Sequence, residues 1–82
     1  MTEQDILAGL GEIVEEITDH PASEVTLDKS FEELEIDSLT MVEVIASVED
    51  KYELKVSDEQ LKDLTTVQDV VSFIGKNAGG SA

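Results

Sequence analysis

The sequence predicts an all-α fold: a small bundle of three main helices plus one short helix, with a long loop between helices one and two. Three observations predict it. Apolar residues recur at helical spacing in three separate stretches, no stretch alternates long enough to build a sheet, and the long loop carries apolar anchors with which to pack. The chain has 82 residues, which suits one domain. With 40% hydrophobic but only 4% aromatic residues, its core must be aliphatic.

Residues 3–18 form the first predicted helix. Ile6, Leu7, Leu10, Ile13, Val14 and Ile17 make one stripe, and Glu12, Glu15 and Glu16 fall on the other side. His20-Pro21 ends it, because the residue before proline avoids helical geometry. The connection over residues 19–36 holds Val25, Leu27, Phe31, Leu34 and Ile36 without a sustained period. A short helical turn is expected at residues 31–34. Long loops with buried anchors are often functional. The second helix spans residues 38–52, with Asp37 or Ser38 as its N-cap. Ser57-Asp58-Glu59-Gln60 has the capping-box spacing of a third, short helix. The last helix is expected to start at Thr66 and to turn Val67, Val70, Val71 and Ile74 inward. One domain over residues 1–76 is therefore expected, followed by a flexible tail, Asn-Ala-Gly-Gly-Ser-Ala, at 77–82.

Charge narrows the function. Twenty Asp and Glu stand against five Lys and no Arg, a formal net charge of −15. Such a field repels nucleic acid and anionic membranes and draws in proteins with basic patches. Acidity can also serve solubility alone. The absence of cysteine excludes disulfides, thiolate metal sites and a cysteine nucleophile, so any thiol must arrive on an attached group. The start of the chain is too acidic for a signal peptide, and no apolar run could span a bilayer. A soluble, cytoplasmic, monomeric protein without stable membrane insertion is expected. Enzyme readings are poor. The single histidine, His20, is expected to be exposed or capping and fits no Ser-His-Asp order; neither a phosphate-cradling glycine loop nor an EF-hand is present. No catalytic residue and no metal site are expected.

The second helix has two faces. Met41, Val44, Ile45, Val48 and Tyr52 gather on one side and suit the core. Leu39, Val42 and Ala46 fall near the opposite side, among Glu43, Glu49, Asp50 and Glu53. An apolar strip within an acid rim suits docking of a basic partner, although single exposed apolar residues are ordinary. At the start of this helix stands Asp37-Ser38-Leu39. A hydroxyl there lies at the positive end of the helix, where a phosphate ester is favoured by about 0.3–1 kcal/mol. That string alone is ordinarily just a cap.

In its context the string means more, because the chain resembles the acyl carrier protein family over nearly its whole length. The resemblance rests on the amphipathic first helix and on Leu-Asp-Lys-Ser-Phe at 27–31. It continues through Glu33-Leu34-Glu35-Ile36-Asp37-Ser38-Leu39, Val42-Glu43, Glu49-Asp50-Lys51-Tyr52 and Leu64-Thr65-Thr66-Val67, and points to discrete carriers of bacterial fatty acid synthesis, actinobacterial-like. It implies a non-catalytic carrier. A phosphopantetheinyl transferase would esterify Ser38 with 4'-phosphopantetheine from coenzyme A, Asp37 supporting the magnesium-dependent reaction. The arm's thiol would carry acyl chains as thioesters to ketosynthases, reductases, dehydratases and acyltransferases. Leu39, Val42 and Ala46 would be the apolar contacts, and Glu43, Glu49 and Asp50 the acid contacts. The aliphatic core would open between helices to shelter the cargo. The chain departs from the family at Glu35, where members commonly carry Gly though some carry an acid, and at Thr40, where many carry an acid; the stretch between Phe31 and Leu34 is one residue short. A polyketide-type carrier, or an acidic helical interaction module without a prosthetic group, is the alternative.

Overall fold

Thr2 opens the first helix. Its hydroxyl accepts the Asp5 N–H at 3.1 Å, and the Asp5 carboxylate accepts the Thr2 N–H at 3.2 Å, so two N–H groups that the helix leaves free are satisfied reciprocally. These contacts come from a computed structural model that describes residues 2–77. The helix, α1, spans Glu3–Ile17. Thr18 closes it in extended backbone: its N–H and its hydroxyl both donate to the Val14 carbonyl, each at 2.8 Å. Pro21 then leads into a short 3-10 helix, Ala22–Glu24, which sequence periodicity did not predict.

Three further helices follow: α2 (Ser38–Tyr52), α3 (Asp58–Asp63) and α4 (Val67–Asn77). The Ser57–Gln60 capping box opens α3 as its spacing predicts, with Ser57 Oγ accepting at 3.1 Å and Gln60 Oε1 accepting at 3.0 Å. Before α4, Thr66 and Asp69 make the same reciprocal pair, so the helix begins one residue later than expected. Asn77 is helical and not part of a tail; residues 78–82 lie outside the described residues.

α1 packs on both α2 and α4. Leu10, Val14, Val44, Val48, Val67, Val70, Val71 and Ile74 are fully buried between them. α1, α2 and α4 deliver the apolar stripes that their spacing predicts, with Leu7 and Ile17 of α1 half-buried at its edge. Phe31, Leu34 and Ile36 of the long loop are buried in the same cluster, along with Leu64. No charged side chain is buried among the described residues, and the buried Tyr52 hydroxyl donates to the Ile6 carbonyl at 3.4 Å. α1 meets α2 closely at Gly9. A Cβ there would collide with the Tyr52 hydroxyl, so the glycine makes the notch that Tyr52 fills.

Residues 31–35 form the expected helical turn, and its end aims the chain at α2. Ser30 Oγ accepts the Glu33 N–H at 3.1 Å and Glu33 Oε1 accepts the Ser30 N–H at 3.2 Å. At the other end, the Glu35 N–H donates to the Glu32 carbonyl and the Ile36 N–H to the Phe31 carbonyl, at 3.0 and 2.9 Å. This paired closure needs a left-handed residue in its middle, and Glu35 supplies it with φ 60°. Glycine would do so without steric cost; glutamate adopts this backbone against its ordinary preference. Glu53, at φ 53°, ends α2 in the same left-handed region.

Candidate functional site

The candidate site is built at the join between this turn and α2. Asp37 is the N-cap of α2: its Oδ1 accepts the Thr40 N–H at 2.8 Å, and its backbone carbonyl accepts the Met41 N–H at 2.8 Å. The bond from Thr40 holds the Asp37 carboxyl below the usual carboxylate range. Because Asp37 takes the cap, the hydroxyl of Ser38 is not needed for it. Ser38 is the first residue of α2 and is exposed.

Beside Ser38 runs a groove of about 370 Å³, floored by Phe31, Ile36, Met41 and Leu64. Its far wall is held by the link into α4. The Phe31 N–H donates to the Thr65 carbonyl at 3.1 Å, the Val67 N–H donates to the Lys29 carbonyl at 3.0 Å, and Ser30 and Thr66 form an antiparallel bridge. The core behind the groove is closed by fully buried aliphatic side chains. Sheltering an acyl chain between the helices therefore requires them to part from this packing.

The two-faced reading of α2 holds at the level of burial. Met41, Val44, Ile45, Val48 and Tyr52 are buried. On the outer side Leu39 is 79% exposed and Val42 53%, the two large hydrophobic residues that stand out to solvent among the described residues. Ala46, Glu43 and Asp50 are exposed beside them. Glu49 differs from its neighbours. It is half-buried, and its Oε2 accepts the Val56 N–H at 2.8 Å, bracing the segment that leads into α3. At the foot of the strip lies a hollow of about 460 Å³ between Ala46, Asp50, Glu53, Leu54 and Lys55. Lys55 escaped the sequence reading, although a cation just after the acidic end of a helix is a visible signal.

His20 is neither fully exposed nor a cap. Thr18 closes α1, and the His20 ring lies against the acids around it, Nδ1 3.0 Å from Glu24 Oε1 and Nε2 3.9 Å from Glu35 Oε1. No group of three or more His, Cys, Asp or Glu among the described residues is placed to hold a metal ion. Nor is any described helix long and apolar enough to cross a membrane.

Comparison with known proteins adds to this geometry. Residues 8–74 match the family model described as a phosphopantetheine attachment site. The chain is 53% identical over 76 residues to an acyl carrier protein of Thermobifida fusca, covering 92% of this chain and 96% of that one. It is 55% identical over 76 residues to an acyl carrier protein of Rhodococcus erythropolis, covering 92% and 84%. To the meromycolate extension acyl carrier protein of Mycolicibacterium smegmatis it is 54% identical over 76 residues, covering 92% and 77%. Among solved structures, an acyl carrier protein of Thermotoga maritima shares the fold at a TM-score of 0.82 and 24% identity, covering 90% of this chain and 87% of that one. That of Enterococcus faecalis matches at 0.77 and 28% identity, covering 95% and 100%.

Proposed function

The chain belongs to the acyl carrier proteins, the phosphopantetheine attachment-site family, and from that premise we propose that Ser38 is the residue that receives the 4'-phosphopantetheine arm. The observation that carries this assignment is the exposed hydroxyl at the first position of α2, left out of the cap by Asp37. The surroundings fit such a group. The first N–H groups of a helix lack intrahelical partners and favour an ester phosphate, and the groove with its apolar floor offers a resting surface for the arm. When bound, the arm supplies a terminal thiol on which acyl groups travel as thioesters.

The chain's own residues position and present. Asp37 fixes the first turn of α2, and its second carboxylate oxygen is available to the transferase complex. Leu39, Val42 and Ala46 give partners an apolar seat, with Glu43 and Asp50 as the charged rim. We place Glu49 in that rim in part only, since it also braces residue 56. The partners we propose are the phosphopantetheinyl transferase and the ketosynthases, reductases, dehydratases and acyltransferases of fatty acid synthesis. Each would meet the chain through a basic patch, in the cytoplasm, with the chain itself non-catalytic. The names of its relatives, for acyl and meromycolate chains, support this pathway. One carrier domain would comprise the residues through 76, the match at 8–74 filling most of it.

The test is direct. The folded protein is incubated with coenzyme A, magnesium and a broad-specificity phosphopantetheinyl transferase, and its intact mass is recorded. Gain of one phosphopantetheine by the parent and none by Ser38→Ala is expected. A folded parent that stays at its starting mass, or a Ser38→Ala variant that is still loaded, refutes the assignment.

A further inference from the structure

The acid rim of α2 is broken at one place. The hollow below Ala46 has Asp50 and Glu53 on its walls and buried Leu54 in its floor, but Lys55 stands among them. Lys55 is exposed, and it makes no ion pair among the described residues. Lys51, one helical turn before it in the chain, is drawn away toward Glu12 at 3.9 Å. Glu49, Asp50 and Glu53 line the same hollow without forming an ion pair with Lys55, and Glu49 directs one carboxylate oxygen to the Val56 N–H instead. Lys29, Lys62 and Lys76 make no ion pair among the described residues either; what sets Lys55 apart is its place in the hollow at the end of the docking strip, where a cation changes what that strip can recognise.

We infer that Lys55 is a specificity-determining residue, which selects partners whose basic docking patch carries a carboxylate facing the foot of α2. The inference rests on the docking role proposed above for the α2 strip. A patch made only of Lys and Arg meets attraction along Glu43 and Asp50 and repulsion at Lys55. A patch with one acid at its edge meets attraction throughout. Discrimination of this kind comes as much from the repulsive contact as from the attractive one. Rim charges act mainly on the rate of association and on its salt dependence.

The direction of the effect separates this inference from acidity acting alone. If acidity alone governed docking, Lys55→Glu would speed association, since it lowers the net charge by two. If Lys55 meets a carboxylate, the same change slows it. The probe is a bacterial fatty acid ketosynthase that elongates the acyl-loaded protein, with association followed by stopped flow at low and high salt. A slowing of roughly threefold or more at low salt for Lys55→Glu is expected, less for Lys55→Gln, with both differences shrinking as salt rises. Unchanged or faster association of Lys55→Glu overturns the inference. Asp50→Lys is measured alongside as the control for the docking face. Slower association of Asp50→Lys with no slowing by Lys55→Glu rejects the role of Lys55 alone. If neither substitution has an effect, the docking face on α2 is rejected with it. Lys55 is exposed, so unfolding of the variants is not expected, and thermal melts confirm that they are folded.

Discussion

Truncating Leu39 to alanine should cost binding and almost no stability. The side chain is 79% exposed, so the fold draws little from it. Burying a leucine fully is worth about 1.5–3 kcal/mol, and about four-fifths of that is still available to a partner, roughly 1.2–2.4 kcal/mol. At about 1.4 kcal/mol per factor of ten, this corresponds to a roughly 7- to 50-fold loss in kcat/KM when docking limits the reaction. Imperfect burial at the interface pulls the value toward the lower end. Two assays read it: the initial rate of phosphopantetheine loading and the rate of elongation by a ketosynthase, each against protein concentration below saturation. Urea unfolding of the same samples should agree with the parent within about 0.5 kcal/mol. The reasoning fails if Leu39→Ala is folded and loaded within twofold of the parent rate. It fails equally if the variant loses stability in proportion, because Leu39 would then belong to the core.

Two further outcomes follow from the packing and the electrostatics. Gly9→Ala should lower stability by up to about 2 kcal/mol: overpacking against the Tyr52 hydroxyl costs about 1–3 kcal/mol, while removing a mid-helix glycine returns about 1 kcal/mol. Adding Tyr52→Phe should recover much of the loss, since the nearest ring atom then lies at 3.2 Å; urea midpoints of the two single variants and the double decide it. Asp69 sets part of the acid limit. Partial burial pushes its carboxyl up, but the bonds from Thr66 and Thr65 outweigh this and hold it below the usual range. Its contribution is therefore complete above the unfolded value, near pH 3.9, and is lost as pH falls through the lower folded value. Asp69→Asn should flatten the fall of stability below about pH 4; an acid limb as steep as the parent's would count against it.

The helices were legible because their signals are local. Stripes at helical spacing and the Ser57–Gln60 box are written in consecutive residues, and the structure returns them within a residue or two. The buried face of α2 was legible for the same reason. What escaped depends on residues far apart in the chain. The fit of Tyr52 into Gly9 joins two helices 43 positions apart, counted from their residue numbers. The bridge from Ser30 to Thr66 gives no periodic trace in either segment. Glu35 and Glu53 adopt left-handed backbone that glycine would have announced and glutamate conceals. The exposure of Leu39 and Val42 was legible because it follows from the helical wheel, whereas Ser38 drew notice through its place where the loop meets the helix and through the family resemblance. The second role of Glu49 was hidden because its partner is a backbone N–H outside the helix.

The bridge between residues 30 and 66 also couples two stretches that no helix joins. The Phe31 N–H and the Lys29 carbonyl find their partners at Thr65 and Val67, so the segment that opens α4 anchors the loop that delivers the chain to Ser38. A substitution that breaks this pairing from the α4 side therefore acts on the start of α2, a part of the chain it does not adjoin.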